Sequence, residues 1–237
     1  MEMMLQTTDL CKIFQKQKAV NKISMHVRKG TVYGLLGPNG AGKSTTLKML
    51  TGIFSPTSGE IFFDGKPWSR EVLSEIGALI ESPPIYDNLS ARENLKVRSL
   101  LLGVNEKRID NVLRIVSLTG TGKKKAGQFS MGMKQRLGIA MALLGKPKLL
   151  ILDEPTNGLD PIGIEELRAL IRSFPEQGIT VILSSHILSE VQLIADDVGI
   201  ISNGILGYES PLEEGQNLEE LFMHVVKENR KTGDICG

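Results

Sequence analysis

The stretch GPNGAGKST, Gly37 to Thr45, constrains the fold of this chain more than any other. It follows directly on the apolar run VYGLL and leads straight into STTLKML, so a glycine-rich turn joins a buried strand to a helix. The pattern is G-x-x-x-x-G-K-[S/T], and the strand–turn–helix setting is what gives it meaning. Without that setting it would be a glycine turn beside a solvated lysine. Within it, Gly37, Pro38, Asn39, Gly40, Ala41 and Gly42 let backbone N–H groups converge on phosphate oxygens, and the helix start adds the positive end of its dipole. Lys43 reaches the outer phosphates, the Ser44 hydroxyl, which closes the pattern, faces Mg²⁺, and Thr45 follows as a further nucleotide-binding candidate. A nucleoside triphosphate with Mg²⁺ is the expected ligand.

Short apolar runs recur along the chain between segments of helical length: VYGLLG at 32–37, EIGALI at 75–80, KLLILD at 148–153, GITVILSS at 178–185 and DVGIIS at 197–202. Such continuous runs read as buried strands of a largely parallel sheet, and helices fit between them at about 43–51, 161–176 and 187–195. The predicted class is α/β, a P-loop NTPase core with a mostly parallel sheet. Segments at about 3–10 and 23–28, with EIFFDG at 60–65, alternate more and predict a small N-terminal antiparallel β layer. Helical patterns at about 90–102, 105–117 and 131–145, with no strand among them, predict an inserted helical lobe. We therefore expect one domain over 1–237: a core lobe of about 1–84 and 148–215, a helical lobe of about 85–147, and a C-terminal helix and polar tail of about 216–237.

Two further stretches carry chemistry. LLILDE, Leu149 to Glu154, is an apolar run that ends in two acids. Alone it could be a strand followed by an exposed turn. Paired with the phosphate loop, Asp153 is expected to orient the metal and Glu154 to polarise the attacking water. In FSMGMKQRL, Phe129 to Leu137, Ser130 and Gly132 open a helix and leave a hydroxyl and free N–H groups at its start. This is either an ordinary capped helix or a second anion-binding surface, which one chain does not need for one nucleotide. The loop by itself leaves a small-molecule kinase, a GTPase and a recombination-type ATPase all open.

GPNGAGKST, FSMGMKQRL, LLILDEP, NGLD and SSH, in that order and spacing, resemble the ATP-binding subunits of ABC transporters over nearly the whole chain. The serine-glycine motif departs from the family's L-S-G-G-Q at Met131 and Met133 but keeps Ser130 and Gly132. The resemblance implies ATP as the nucleotide, held with Mg²⁺ between two copies arranged head to tail, the loop of one facing Ser130 and Gly132 of the other. It also implies that Phe14 stacks on adenine, that Asp160 lies at the seam between copies, and that His186 contacts the γ-phosphate. Phe14 has the rival reading of a core aromatic, and a histidine after a strand is commonly structural. The helical lobe becomes the surface that meets membrane-spanning permease subunits, which would make the peptide contacts.

In LIESPPIY, Glu81 stands at a strand end where the family carries a glutamine that touches Mg²⁺ or the attacking water, and the resemblance implies the same catalytic and metal-binding role for Glu81. A glutamate there, with the S-M-G-M-K-Q-R-L form of the signature, is similar to the ATPases of lantibiotic self-immunity and their relatives in bacitracin resistance. The implied function is ATP hydrolysis that drives removal of an antimicrobial peptide from the membrane. The alternative is an ABC-type ATPase acting on DNA or ribosomes. Such proteins carry coiled-coil insertions or tandem cassettes, for which the segment between Glu81 and Ser130 is too short.

Bulk properties agree with a peripheral subunit. Net charge is +1, so nothing in the overall charge calls for nucleic acid or acidic lipid. The opening MEMMLQTTDL lacks the features of a signal peptide and no apolar run approaches a membrane span, so the expected place is the cytoplasmic face of the cell membrane. Cys11 and Cys236 have no metal-ligand spacing and read as free thiols of a reducing compartment.

Overall fold

The computed structural model describes residues 2–213 and 215–233. Strands β1 (Met3–Phe14), β2 (Gln17–Ile23) and β3 (His26–Arg28) open the chain, and β4 (Val32–Leu36) then leads into helix α1 (Lys43–Leu50). β5 (Ser58–Phe63) and β6 (Lys66–Pro67) return to the first strands and complete an antiparallel sheet in the order β2-β1-β5-β6, with β3 also on β1. β7 (Ile76–Leu79) ends at a turn that enters helices α2 (Ala91–Leu102), α3 (Lys107–Ile115) and α4 (Met131–Leu143). The chain then alternates: β8 (Leu149–Asp153), α5 (Pro161–Arg172), β9 (Thr180–Ser185), α6 (Leu188–Ile194), β10 (Asp197–Ser202), β11 (Ile205–Pro211) and α7 (Leu218–Gly233).

The second sheet has the order β11-β10-β4-β9-β8-β7, parallel from β10 to β7 with β11 antiparallel at one edge. Its central strands are buried on both faces, and the alternation of side chains feeds two separate cores. Leu149 and Ile151 of β8, Ile182 of β9 and Tyr33 and Leu35 of β4 pack against the antiparallel sheet and α1. Leu150, Leu152, Val181, Leu183, Val32 and Leu36 face the other way, toward the helices. Polar contacts tie the two sheets together: part-buried Arg28 of β3 donates to both oxygens of Asp197 at the start of β10, at 2.6 and 2.8 Å. Tyr33 donates to Glu209 of β11, which also accepts from the His26 backbone. Burial pushes the Tyr33 phenol well above its usual range, and neighbouring Glu209 adds to this.

The five core strands and the helices of the central lobe lie where the sequence predicts them, and three details differ. β1 continues to Phe14 and turns back as β2, a hairpin where only short segments were expected. β11 was not anticipated because ILGYESP mixes glycine and polar residues, as a half-buried edge strand tolerates. The helix expected over 161–176 stops at Arg172, since Pro175 has no N–H to offer the Ile171 carbonyl, which accepts from the Phe174 N–H at 3.2 Å instead, and a short 3₁₀ turn follows. The polar end of the tail and Cys236 lie outside the described residues.

Candidate nucleotide site

The 37–45 loop joins the end of β4 to α1 at the carboxyl edge of the parallel sheet. Gly42 has φ 108°, and a Cβ there would come within 2.6 Å of the Ala19 carbonyl, so both backbone and space require glycine. No side chain caps the start of α1, which leaves its first N–H groups to a ligand.

Around this loop the strand ends assemble a connected polar set. Lys43 is 5% exposed; its Nζ donates to the carbonyls of Gly37 (2.7 Å) and Pro38 (3.3 Å) and pairs with Glu154 Oε1 at 3.1 Å. The other oxygen of Glu154 lies 2.8 Å from His186 Nδ1. Asp153, at the end of β8, is 2% exposed and accepts from Ser44 Oγ (3.1 Å) and Ser184 Oγ (2.6 Å) on one oxygen. Ser184 also accepts from the Glu154 backbone N–H at 2.9 Å, so a single hydroxyl at the end of β9 fixes both acids.

These groups border a cleft of about 850 Å³ lined by Asn39 to Thr45, Glu154 and His186, with Phe14, Gln17 and Lys18 of the first hairpin opposite. Phe14 is 41% exposed and belongs to neither core cluster; its ring meets Phe54 edge-on at 5.4 Å. That arrangement leaves Phe14 open to a flat apolar ring. The donor set also fits Mg²⁺. Among the described residues no group of three acids, histidines or cysteines could hold a metal alone, whereas Ser44 Oγ and Asp153 offer two oxygen ligands beside a phosphate seat. Mg²⁺ is ordinarily bound by one or two protein ligands with phosphate oxygens and water supplying the rest.

Glu81 does not line the cleft. It sits at the turn after β7 with φ 63°, its side chain is 66% exposed, and it forms an ion pair with Lys48 of α1. Ser130, Gly132 and Asp160 are brought together elsewhere, along a second cleft of about 640 Å³ that shares no residue with the first. Ser130 caps α4 by accepting from the Met133 N–H at 3.3 Å, and Asp160 caps α5 by accepting from Gly163 N–H at 2.8 Å. No motif in the sequence marks Ser184, Lys48, Asn157 or the Gln17–Ala19 segment. Only Ser184 carried a signal, as a hydroxyl in the SSH stretch read for its histidine.

Comparison with known proteins bears on the same residues. The family model described as ABC transporter matches residues 20–157. The chain is 54% identical over 223 residues to the lantibiotic transport ATP-binding protein SrtF of Streptococcus pyogenes, covering 94% of this chain and 97% of that one. It is 50% identical over 237 residues to the bacitracin transport ATP-binding protein BcrA of Bacillus licheniformis, covering 98% of this chain and 74% of that one. Among solved structures, an ATP-binding subunit of an ABC transporter superposes with a TM-score of 0.82 at 30% identity, over 94% of this chain and 99% of its own.

Proposed function

The chain belongs to the ABC transporter family as an ATP-binding, ATP-hydrolysing subunit, and from that premise we propose that it drives export of an antimicrobial peptide, in lantibiotic self-immunity or bacitracin-type resistance. The observation that carries the catalytic part is the linked set Lys43–Glu154–His186 beside Ser44–Asp153. In the structure the Lys43 ammonium is held by two carbonyls and Glu154. Phosphate oxygens arriving at the start of α1 compete for that ammonium, which releases Glu154 Oε1 to accept a proton from the attacking water. The other oxygen stays on His186, which fixes the carboxylate and presents a ring nitrogen toward the outer phosphate. Mg²⁺, when bound, neutralises charge on the phosphates, and Ser44 and Asp153 are the residues that would hold it.

The remaining roles follow from placement. Phe14 takes the adenine. Ser130, Gly132 and Asp160, outside the cleft of their own chain, serve the nucleotide of a second copy. Tyr86, Leu100 and Leu101 are large apolar residues exposed on the helical lobe, and they support this lobe as the face that meets membrane permease subunits. Among the described residues no helix is long and apolar enough to cross a membrane, which suits attachment at the cytoplasmic face through such partners. The test is a pair of substitutions on the purified chain. Lys43→Ala is expected to weaken ATP binding at least tenfold, and Glu154→Gln to keep binding while turnover falls by about 10²–10⁴. Parental turnover in Glu154→Gln would remove that carboxylate from its role.

A further inference from the structure

The structure places three acids at one sheet edge with few cations to balance them. Leu79 of β7 pairs with Leu152 of β8, and Glu81 and Glu154 each follow that pair by two residues on adjacent parallel strands, with Asp153 closing β8 just before Glu154. Both glutamates leave their strands through left-handed backbone, φ 63° and 48°. Neighbouring strands run about 4.8 Å apart, so uncompensated charges here would repel one another and any triphosphate at the start of α1. Glu154 is answered by Lys43 and Asp153 by two hydroxyls. Glu81 is answered by Lys48, one helical turn beyond Ser44 on the same face of α1.

Lys48 is held in place for this. Its side chain is only 20% exposed, against 66% for its partner. The ammonium lies 5.5 Å from the centroid of Phe54, within the range of a cation–π contact. Phe54 in turn packs edge-on against Phe14, and Lys12 anchors both rings from 5.2 and 5.6 Å while donating to the Ser55 carbonyl at 2.6 Å. A continuous run of contacts thus joins the nucleotide cleft at Phe14 to the turn that enters the helical lobe at Glu81.

We propose that Lys48 is a positioning residue that holds the Glu81 carboxylate and cancels its charge, so that a glutamate at the turn after β7, outside the cleft itself, does not weaken binding of the triphosphate. The inference rests on the ATP-binding reading above. The competing explanation is an ordinary surface ion pair, which contributes little to stability and nothing to the ligand.

The experiment uses the full chain and Lys48→Met, Lys48→Arg, Glu81→Gln and the double variant Lys48→Met/Glu81→Gln. ATP affinity is measured in EDTA, so the reading depends on neither metal nor turnover. The fluorescence of Trp68 serves as reporter, because its indole N–H donates to Leu50 O at the end of α1. Methionine keeps an apolar stem against Phe54 and removes only the charge. Lys48→Met is expected to weaken metal-free ATP binding by about three- to tenfold at low salt, with the loss shrinking as salt rises. Lys48→Arg should retain parental affinity to within about twofold. With the Glu81 charge gone, the methionine substitution should shift affinity by less than about twofold. An equal loss in both backgrounds, or no loss in either, overturns the proposal while leaving the ATP-binding reading intact. Parental protein that binds no ATP, or binds no better than Lys43→Ala, overturns that reading and the proposal with it.

Discussion

Ser184, outside the lining of the nucleotide cleft, links the two acids at the end of β8. Its hydroxyl is shared between Asp153 Oδ1 and the Glu154 N–H, so it fixes the last residue of β8 and the direction in which the next carboxylate leaves. Ser184→Ala removes a buried donor and acceptor and should cost about 1–3 kcal/mol of stability. Its sharper effect should be on turnover, expected to fall about tenfold or more while ATP affinity, which rests on the loop and Lys43, changes less than about threefold. Steady-state turnover and equilibrium binding on the same preparation check this, and equal losses in both would make Ser184 a folding residue only. Phosphate-loop residues were legible in the sequence because their spacing is itself the mechanism. Ser184 was not, because a hydroxyl at the buried end of an apolar strand gives no sign of which neighbouring strand it faces. Glu81 lies between these cases: its position at a strand end was readable, but its partner Lys48, far away in the chain, was not.

At the scale of elements, helix α2 begins with a capping box that the acid range should open. Ser90 Oγ accepts from the Glu93 N–H, and Glu93 Oε2 accepts from the Ser90 N–H at 2.7 Å. The Ser90 backbone N–H, then its hydroxyl and the Lys125 ammonium, hold the Glu93 carboxyl down at about 2 from an ordinary 4.5. A depressed folded value means the stabilisation is fully present above pH 4.5 and fades as pH falls toward about 2. The thermal midpoint of the parent should therefore exceed that of Glu93→Gln by a constant margin at higher pH, and the margin should shrink over that interval. A margin that does not vary with pH would exclude the carboxylate as its source. Helix α4 presses on β7 at Gly138, where a Cβ would lie 3.0 Å from Leu79 Cδ1 and from Pro83 Cβ. Gly138→Ala should cost about 1–3 kcal/mol by forcing the 81–86 turn away from the lobe, measurable by denaturant unfolding. Caps and apolar periods made these elements readable from local sequence. Strands β2 and β11 escaped because hairpin and edge strands are fixed by their partners, which short polar segments do not advertise.

The whole molecule presents two clefts with complementary contents. One is lined by Lys43, Ser44, Glu154 and His186; the other is bordered by Ser130, Gly132 and Asp160. A γ-phosphate held in the first would expose oxygens that its own chain does not cover, and a helix start with a serine cap offers donors for such oxygens. Two copies facing each other in opposite sense would satisfy both clefts at once, in a two-fold arrangement that closes without leaving a free edge. Association should then depend on ATP, because each nucleotide is part of the contact, and it should persist only where hydrolysis is blocked. We expect Glu154→Gln to sediment as a monomer alone and as a dimer with MgATP, and Ser130→Arg in the same background to remain monomeric, since its bulk and charge occupy the face the second nucleotide must meet. ATP affinity of that double variant as a monomer should match Glu154→Gln to within about twofold, because Ser130 lies outside the chain's own cleft. A dimer whose formation ignores ATP, or one that survives Ser130→Arg, would show that the second cleft serves some other contact.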